Sequence, residues 1–337
     1  MSELRAPGAG LTELPDVAGD VRLIDLAWNR LTELPARVGE LTRLEELRLD
    51  GNLLTSLPAL PSSLKALHLD GNLLTSLPAC PPYLESLFVY GNALESLPAD
   101  LGPLRHLAAG GNRLTRVPDA VWRLEGLESL NLAENRLTSV PEEIGGLSRL
   151  RMLDLGHNAL REIPSAIGEL DLTDYLYLSD NGFTSVPESL GKLGRLAYLN
   201  LTDNELTELP DSIGGLAELK ELRLYNNRLT TLPETVGGLT ELRELHLRGN
   251  RLTRLPPLPA TLRLLDVRDN QLAEVPACIG SLAGLTHLDL RGNRLRTLPP
   301  ALAELPALEK LDLRWNKLDG GASVLDALEA RGCVVLR

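Results

Sequence analysis

Five histidines, His68, His106, His157, His246 and His287, are the side chains here best suited to hold a metal or move a proton. A zinc-type site needs three or four convergent ligands. None of the five has a second His or Cys at ligand spacing. His246 comes nearest, with Glu244 before it on the same segment and Asp266 on the next. That set reads as a hydrogen-bonded surface histidine, and no metal or cofactor is expected. Nucleophilic chemistry is no better supplied. Cys80 and Cys278 each follow Pro-Ala and read as filler in turns, while Ser86, Ser129 and Ser179 stand on separate segments. No G-x-x-x-x-G-K-[ST] phosphate loop occurs, and Gly191-Lys192 is followed by Leu. The chain is read as non-enzymatic, with an unrecognised catalytic site as the lesser alternative.

Recognition chemistry remains. Aromatic residues are only 3% of the chain, so their placement is informative. Phe88, Tyr90, Tyr175, Tyr177, Tyr198 and Tyr225 fall at corresponding places in a repeated phrase, and Trp28 and Trp315 each precede its last residue. The phrase is L-x-x-L-x-L-x-x-N. Its Asn falls at 29, 52, 72, 92, 112, 135, 158, 181, 204, 227, 250, 270, 293 and 316, with nine steps of 23 residues and four of 20. A fixed period in this range means a solenoid, one small unit stacked on copies of itself.

The phrase itself sets the positions. Leu222 and Leu224 alternate with Glu221, Arg223 and Tyr225. Alternation means a short strand with one buried face, which turns those three side chains to solvent. The Asn that ends each strand can donate and accept, and so can satisfy backbone groups where the chain turns. After it come Leu, Leu and an aliphatic residue at core positions, with a proline that blocks a further strand and then room for one helical turn before a Gly pair. The 20-residue repeats carry LPALPSSL (57–64), LPACPPYL (77–84) and LPPLPATL (255–262) instead, and their prolines favour an extended path.

On this register Tyr175, Tyr177, Tyr198 and Tyr225 come from three consecutive strands about 4.8 Å apart and form a patch suited to a protein interface. A column Arg248, Arg268, Arg291, Arg314 runs beside a column His246, Asp266, Asp289, Asp312. The pair of columns is either a self-neutralising ladder or, with Arg228, Arg251, Arg294 and Lys317 past each Asn, a basic face for an acidic partner. Phe88, Tyr90, Tyr175, Tyr177, Tyr198, Arg223, Tyr225, His246, Arg248, Arg268, Arg291, Arg314 and Trp315 are the expected partner-binding residues.

Bulk properties narrow the classes. The chain has 337 residues, 43% apolar, and a formal charge of −12 with a pI near 5.0. Nucleic acid and anionic membrane surfaces call for a basic field, so neither is expected as a partner. The opening MSELRAPGAG has no apolar signal core, no apolar run approaches the length of a membrane span, and the three cysteines are far apart. A monomer in a reducing cytoplasm is expected. Residues 1–20 read as a degenerate first repeat with Ala9 in place of the Asn, 21–318 as fourteen repeats, and 319–337 as a cap of helix and strand, all one continuous domain. In the cap, Ser323 is the expected helix N-cap and Gly332 the stop.

The chain resembles leucine-rich repeat proteins over nearly its full length. Its 23-residue LTxLPxxIGxL units are similar to the intracellular Ras-group type, and its 20-residue LPxLP units to the type found in bacterial effectors. The resemblance implies an α/β horseshoe with a curved parallel sheet on the concave side, short helical or 3-10 turns and extended segments on the convex side, and a protein partner on the concave face. It implies a scaffold or adaptor in intracellular signalling, with a bacterial effector that binds a host signalling protein as the alternative.

Overall fold

The computed structural model describes residues 2–337, which divide into two compact units, Met1–Ala159 and Leu160–Arg337. The first unit holds β1 (Glu3–Arg5), β2 (Leu23–Asp25), β3 (Glu46–Arg48), β4 (Ala66–His68), β5 (Ser86–Phe88), β6 (His106–Ala108), β7 (Ser129–Asn131) and β8 (Met152–Asp154). Each pairs in parallel with the next, so that Leu47, Leu67 and Leu87 lie side by side. The second unit holds β9 (Tyr175–Tyr177), β10 (Tyr198–Asn200), β11 (Glu221–Arg223), β12 (Glu244–His246), β13 (Leu264–Asp266), β14 (His287–Asp289), β15 (Lys310–Asp312) and β16 (Val334–Leu336), again parallel and in chain order. Every strand is three residues long. Its middle residue is buried from β2 to β15, as at Leu199, Leu222 and Leu245, and half-buried in the terminal strands β1 and β16. Its outer two residues lie on the other face, mostly half-buried or exposed, with Asn200 and Asp312 buried.

The 23-residue repeats place a 3-10 turn opposite the strand. In the second unit these turns are Ser165–Glu169, Glu188–Lys192, Asp211–Gly215, Glu234–Gly238, Ala277–Ser281 and Pro300–Glu304. Each follows a proline whose ψ is extended, such as Pro210 at 154°. The ring fixes φ and has no N–H to leave unbonded, which sets the chain's entry into the turn. Residues 57–64, 77–84 and 255–262 contain no 3-10 turn, in keeping with their extra prolines.

Glycine in these turns does more than end them. A Cβ on Gly191 would stand 2.0 Å from the carbonyl oxygen of Ser212 in the next turn, and one on Gly168 would stand 2.2 Å from that of Ser189. The turns therefore pack backbone to backbone, which only glycine permits.

The asparagines build a ladder. Asn227 Nδ2 donates to the carbonyls of Leu201 (2.9 Å) and Leu224 (3.0 Å), and its Oδ1 accepts from the N–H of Leu206 (3.0 Å). One amide thus stitches its own repeat to the one before. The residue preceding each Asn has a left-handed backbone, as at Gly249 (φ 69°), Asn226 (55°), Trp28 (58°) and Trp315 (60°). At Gly332, φ is 87°, after the helix α1 (Ala322–Ala330). The N-cap of α1 is Gly321 and not Ser323, which lies inside the first turn, and no side chain caps it. The left-handed glycine (φ 98°) turns the chain into the helix two residues sooner than a side-chain cap at Ser323 would.

Candidate functional site

On the solvent face of the second unit, register sets Tyr175 beside Tyr198, and Tyr198 beside Glu221. The Tyr175 and Tyr177 rings meet edge to face at 4.8 Å, and Tyr177 and Tyr198 are tilted at 5.0 Å. The Arg223 guanidinium lies 5.3 Å from the centre of the Tyr198 ring, and its Nε donates to Glu221 at 2.5 Å. Burial pushes the Tyr198 phenol well above its usual pKa. Three rings with few rotamers and one guanidinium thus form an amphipathic platform, the kind of surface that anchors a partner. Tyr225 does not join it. Among the described residues it makes no ring contact, and it lines a shallow cleft with Arg223, His246, Arg248, Asp266 and Arg268. Its place two residues beyond β11 carries it past the platform.

The arginine and aspartate columns interlock. Arg291 Nη2 reaches Asp289 at 2.7 Å and its Nε reaches Asp312 at 3.3 Å, while Arg314 Nη2 reaches Asp312 at 2.7 Å. Arg268 lies 3.3 Å from Asp266 and 3.8 Å from Asp289, close but without hydrogen-bond alignment at its buried Nε. Burial opposes the charge on Asp312, but Arg314 and Arg291 outweigh it and its pKa sits below the ordinary carboxylate value. Asp266, whose burial is less well compensated, is raised instead. Arg248 departs from the column and pairs with Asp269 at 3.4 Å. Past the Asn, Arg228 is not without a partner, since it meets Glu205 at 3.2 Å.

Of the two carboxylates the sequence sets beside His246, Glu244 stands 3.2 Å from its Nε2 and Asp266 is its register neighbour on β13. Glu221, which the sequence reading did not set there, stands 3.6 Å from the same nitrogen. The donor atoms of Glu221, Glu244 and His246 all lie within 4.8 Å of one another. Glu221 is already engaged by Arg223, so the group is held by its own charges as it stands. His106 and Ser129 are also closer than their separate segments suggest, because register pairs them and Nδ1 lies 2.9 Å from Oγ. No third side chain among the described residues is hydrogen-bonded to that histidine to orient it as a general base.

The first unit keeps its aromatics apart. Phe88 stacks on His68 at 4.7 Å, and burial lowers the His68 pKa. Tyr90 lies over Gly110, where a Cβ would come within 2.8 Å of the ring, and its hydroxyl donates to Glu134 at 2.6 Å. That bond pushes its pKa up to about 12. Sequence reasoning missed Gly110, whose signal is the Gly-Gly pair in place of a side chain facing solvent. Trp28 and Trp315 are 71% and 73% exposed, and Arg314 lies 5.8 Å from the Trp315 ring. Burial raises the Cys80 thiol to about 11, which removes it as a nucleophile at neutral pH.

Parallel three-residue strands, a buried amide ladder and turns on the opposite side recur through both units. A family model described as Leucine rich repeat matches residues 102–160, 171–229, 195–252 and 260–318. The chain is a leucine-rich repeat protein. The solved Leptospira interrogans LRR protein LIC12759 is similar to it at 33% identity and a TM-score of 0.87, over 98% of this chain and 94% of that one. The plant peptide hormone receptor RGFR1, solved in complex with RGF2, is 27% identical with a TM-score of 0.65, over 94% of this chain and 63% of the receptor chain. YopM from Yersinia enterocolitica is 25% identical with a TM-score of 0.51, over 94% and 83%. No curated protein sequence matches. Proteins of this fold typically bind other proteins. Among the described residues no helix is long and apolar enough to cross a membrane.

Proposed function

We propose that this leucine-rich repeat protein is a monomeric, non-enzymatic adaptor of intracellular signalling that captures a protein partner on the solvent face of its strands. The observation that carries the reading is the contiguous platform of Tyr175, Tyr177, Tyr198 and Arg223. The core uses none of these rings, and solvent-facing tyrosines in contact with one another are what hot spots are made of. A similar protein solved in complex with RGF2 supports the use of the fold for capture of a polypeptide. Three free cysteines support a reducing compartment such as the cytoplasm. A second reading, a bacterial effector acting on a host signalling protein, is favoured by the extended LPxLP segments at 57–64, 77–84 and 255–262, which lack 3-10 turns.

The intact chain should retain a partner from a lysate of its source cells. With that partner purified, calorimetry on Tyr177→Ala/Tyr198→Ala should show a loss of about 2–4 kcal/mol in binding, with an unchanged circular dichroism spectrum. Equal affinity of the double variant and the parent would refute the platform as the anchor.

A further inference from the structure

One row of side chains in the second unit lacks the internal compensation found elsewhere on the sheet. The residue just before each strand forms a column along the edge of the solvent face. In the first unit this column alternates in sign, as Arg22, Glu45, Lys65, Glu85, Arg105, Glu128. It also closes on itself, with Arg22 to Glu45 at 3.2 Å, Lys65 to Glu45 at 3.1 Å, and Arg105 bonded to Glu128. In the second unit the same column reads Asp174, Ala197, Lys220, Arg243, Arg263, Thr286, Glu309, with three consecutive cations, Lys220, Arg243 and Arg263, before β11, β12 and β13. All three are exposed, and no carboxylate among the described residues pairs with any of them. The adjacent glutamates are turned elsewhere, Glu221 to Arg223 and Glu244 to His246.

We propose that Lys220, Arg243 and Arg263 form a docking strip for an acidic, extended segment of the partner protein. The proposal rests on the binding reading above and assigns the attraction to this edge instead of to Arg248, Arg268, Arg291 and Arg314, which already have aspartates. Charge complementarity selects the occupant, because three unneutralised cations on an acidic protein form a local field opposite in sign to its net charge. Neighbouring parallel strands are about 4.8 Å apart, so the strip spans about 10 Å, the reach of three extended residues. It also borders the platform, since Lys220 directly precedes Glu221, the register neighbour of Tyr198. A segment with an apolar anchor on the tyrosines and two or three carboxylates beside it would engage both.

Two fluorescein-labelled peptides test this by anisotropy, each with one leucine and one phenylalanine, followed by four glutamates in one and four glutamines in the other. The parent chain should bind the glutamate peptide about ten-fold tighter at low salt, and the preference should shrink at about 0.5 M salt as screening shortens the range of the field. Lys220→Glu/Arg243→Glu/Arg263→Glu should abolish the preference, and the milder triple alanine variant should reduce it. Arg291→Gln should leave it within about two-fold. A parent that binds both peptides equally, or binds neither, overturns the strip, as does a charge-reversed variant of parental melting temperature that keeps the preference. The platform is judged separately. If the parent holds both peptides equally and Tyr177→Ala/Tyr198→Ala holds neither, the strip falls and the anchor stands.

Discussion

Replacing Asn227 by Ala measures what the amide ladder contributes. The side chain is buried, makes two good bonds to carbonyls and accepts one from an N–H. The carbonyls do not lose everything. Leu201 O still receives Asn204 Nδ2 at 3.1 Å, and Leu224 O still receives Asn250 Nδ2 at 2.9 Å. The N–H of Leu206 has no such reserve and is left buried without an acceptor. Two net hydrogen bonds at about 1 kcal/mol each, plus about 1–3 kcal/mol for the orphaned donor, give a loss of roughly 3–5 kcal/mol. Asn316→Ala should cost about half as much, because Asn316 is only half-buried and water can replace its bonds. Urea unfolding followed by circular dichroism gives both values from the shift in midpoint. A loss below about 1 kcal/mol at Asn227 would show that the leucine core alone holds adjacent repeats together, and the ladder argument would fail.

Gly191→Ala should destabilise by about 3 kcal/mol or more, since its methyl would overlap a backbone oxygen that cannot move aside, whereas Gly238→Ala, with nothing within 4 Å, should stay within about 1 kcal/mol of the parent. Thermal melting of the two variants side by side separates close approach from mere turn propensity. The lowered pKa of His68 means that the folded chain holds fewer protons on that ring than the unfolded chain. Its contribution is complete above the ordinary histidine value of about 6.5 and is lost as pH falls below it, despite Glu46 and Asp50 nearby, so His68→Gln should lose less stability between about pH 7 and pH 5.

The sequence by itself determined the architecture and much of the candidate surface. Leucine at fixed spacing assigned the buried face, the Asn marked the end of each strand, and proline separated repeats with a 3-10 turn from those without one. Those assignments hold because they follow from backbone periodicity and from amide chemistry, which act within one repeat. Register then set which residues share a column, so the contact of Tyr175, Tyr177 and Tyr198 was legible before any coordinate. The tertiary structure decided what lies across repeats. Arg228 reaches Glu205 in its own column, Arg248 leaves its column for Asp269, and His246 settles between Glu244 on its own strand and Glu221 diagonally across, because a long side chain chooses among several neighbours by rotamer and column alone does not select one. Tyr90 lies down because Gly110 leaves room, and the 3-10 turns touch because glycine removes the atom that would hold them apart. The same competition left Lys220, Arg243 and Arg263 without carboxylates, since the glutamate beside each of the first two turned to a side chain on its own strand, Glu221 to Arg223 and Glu244 to His246.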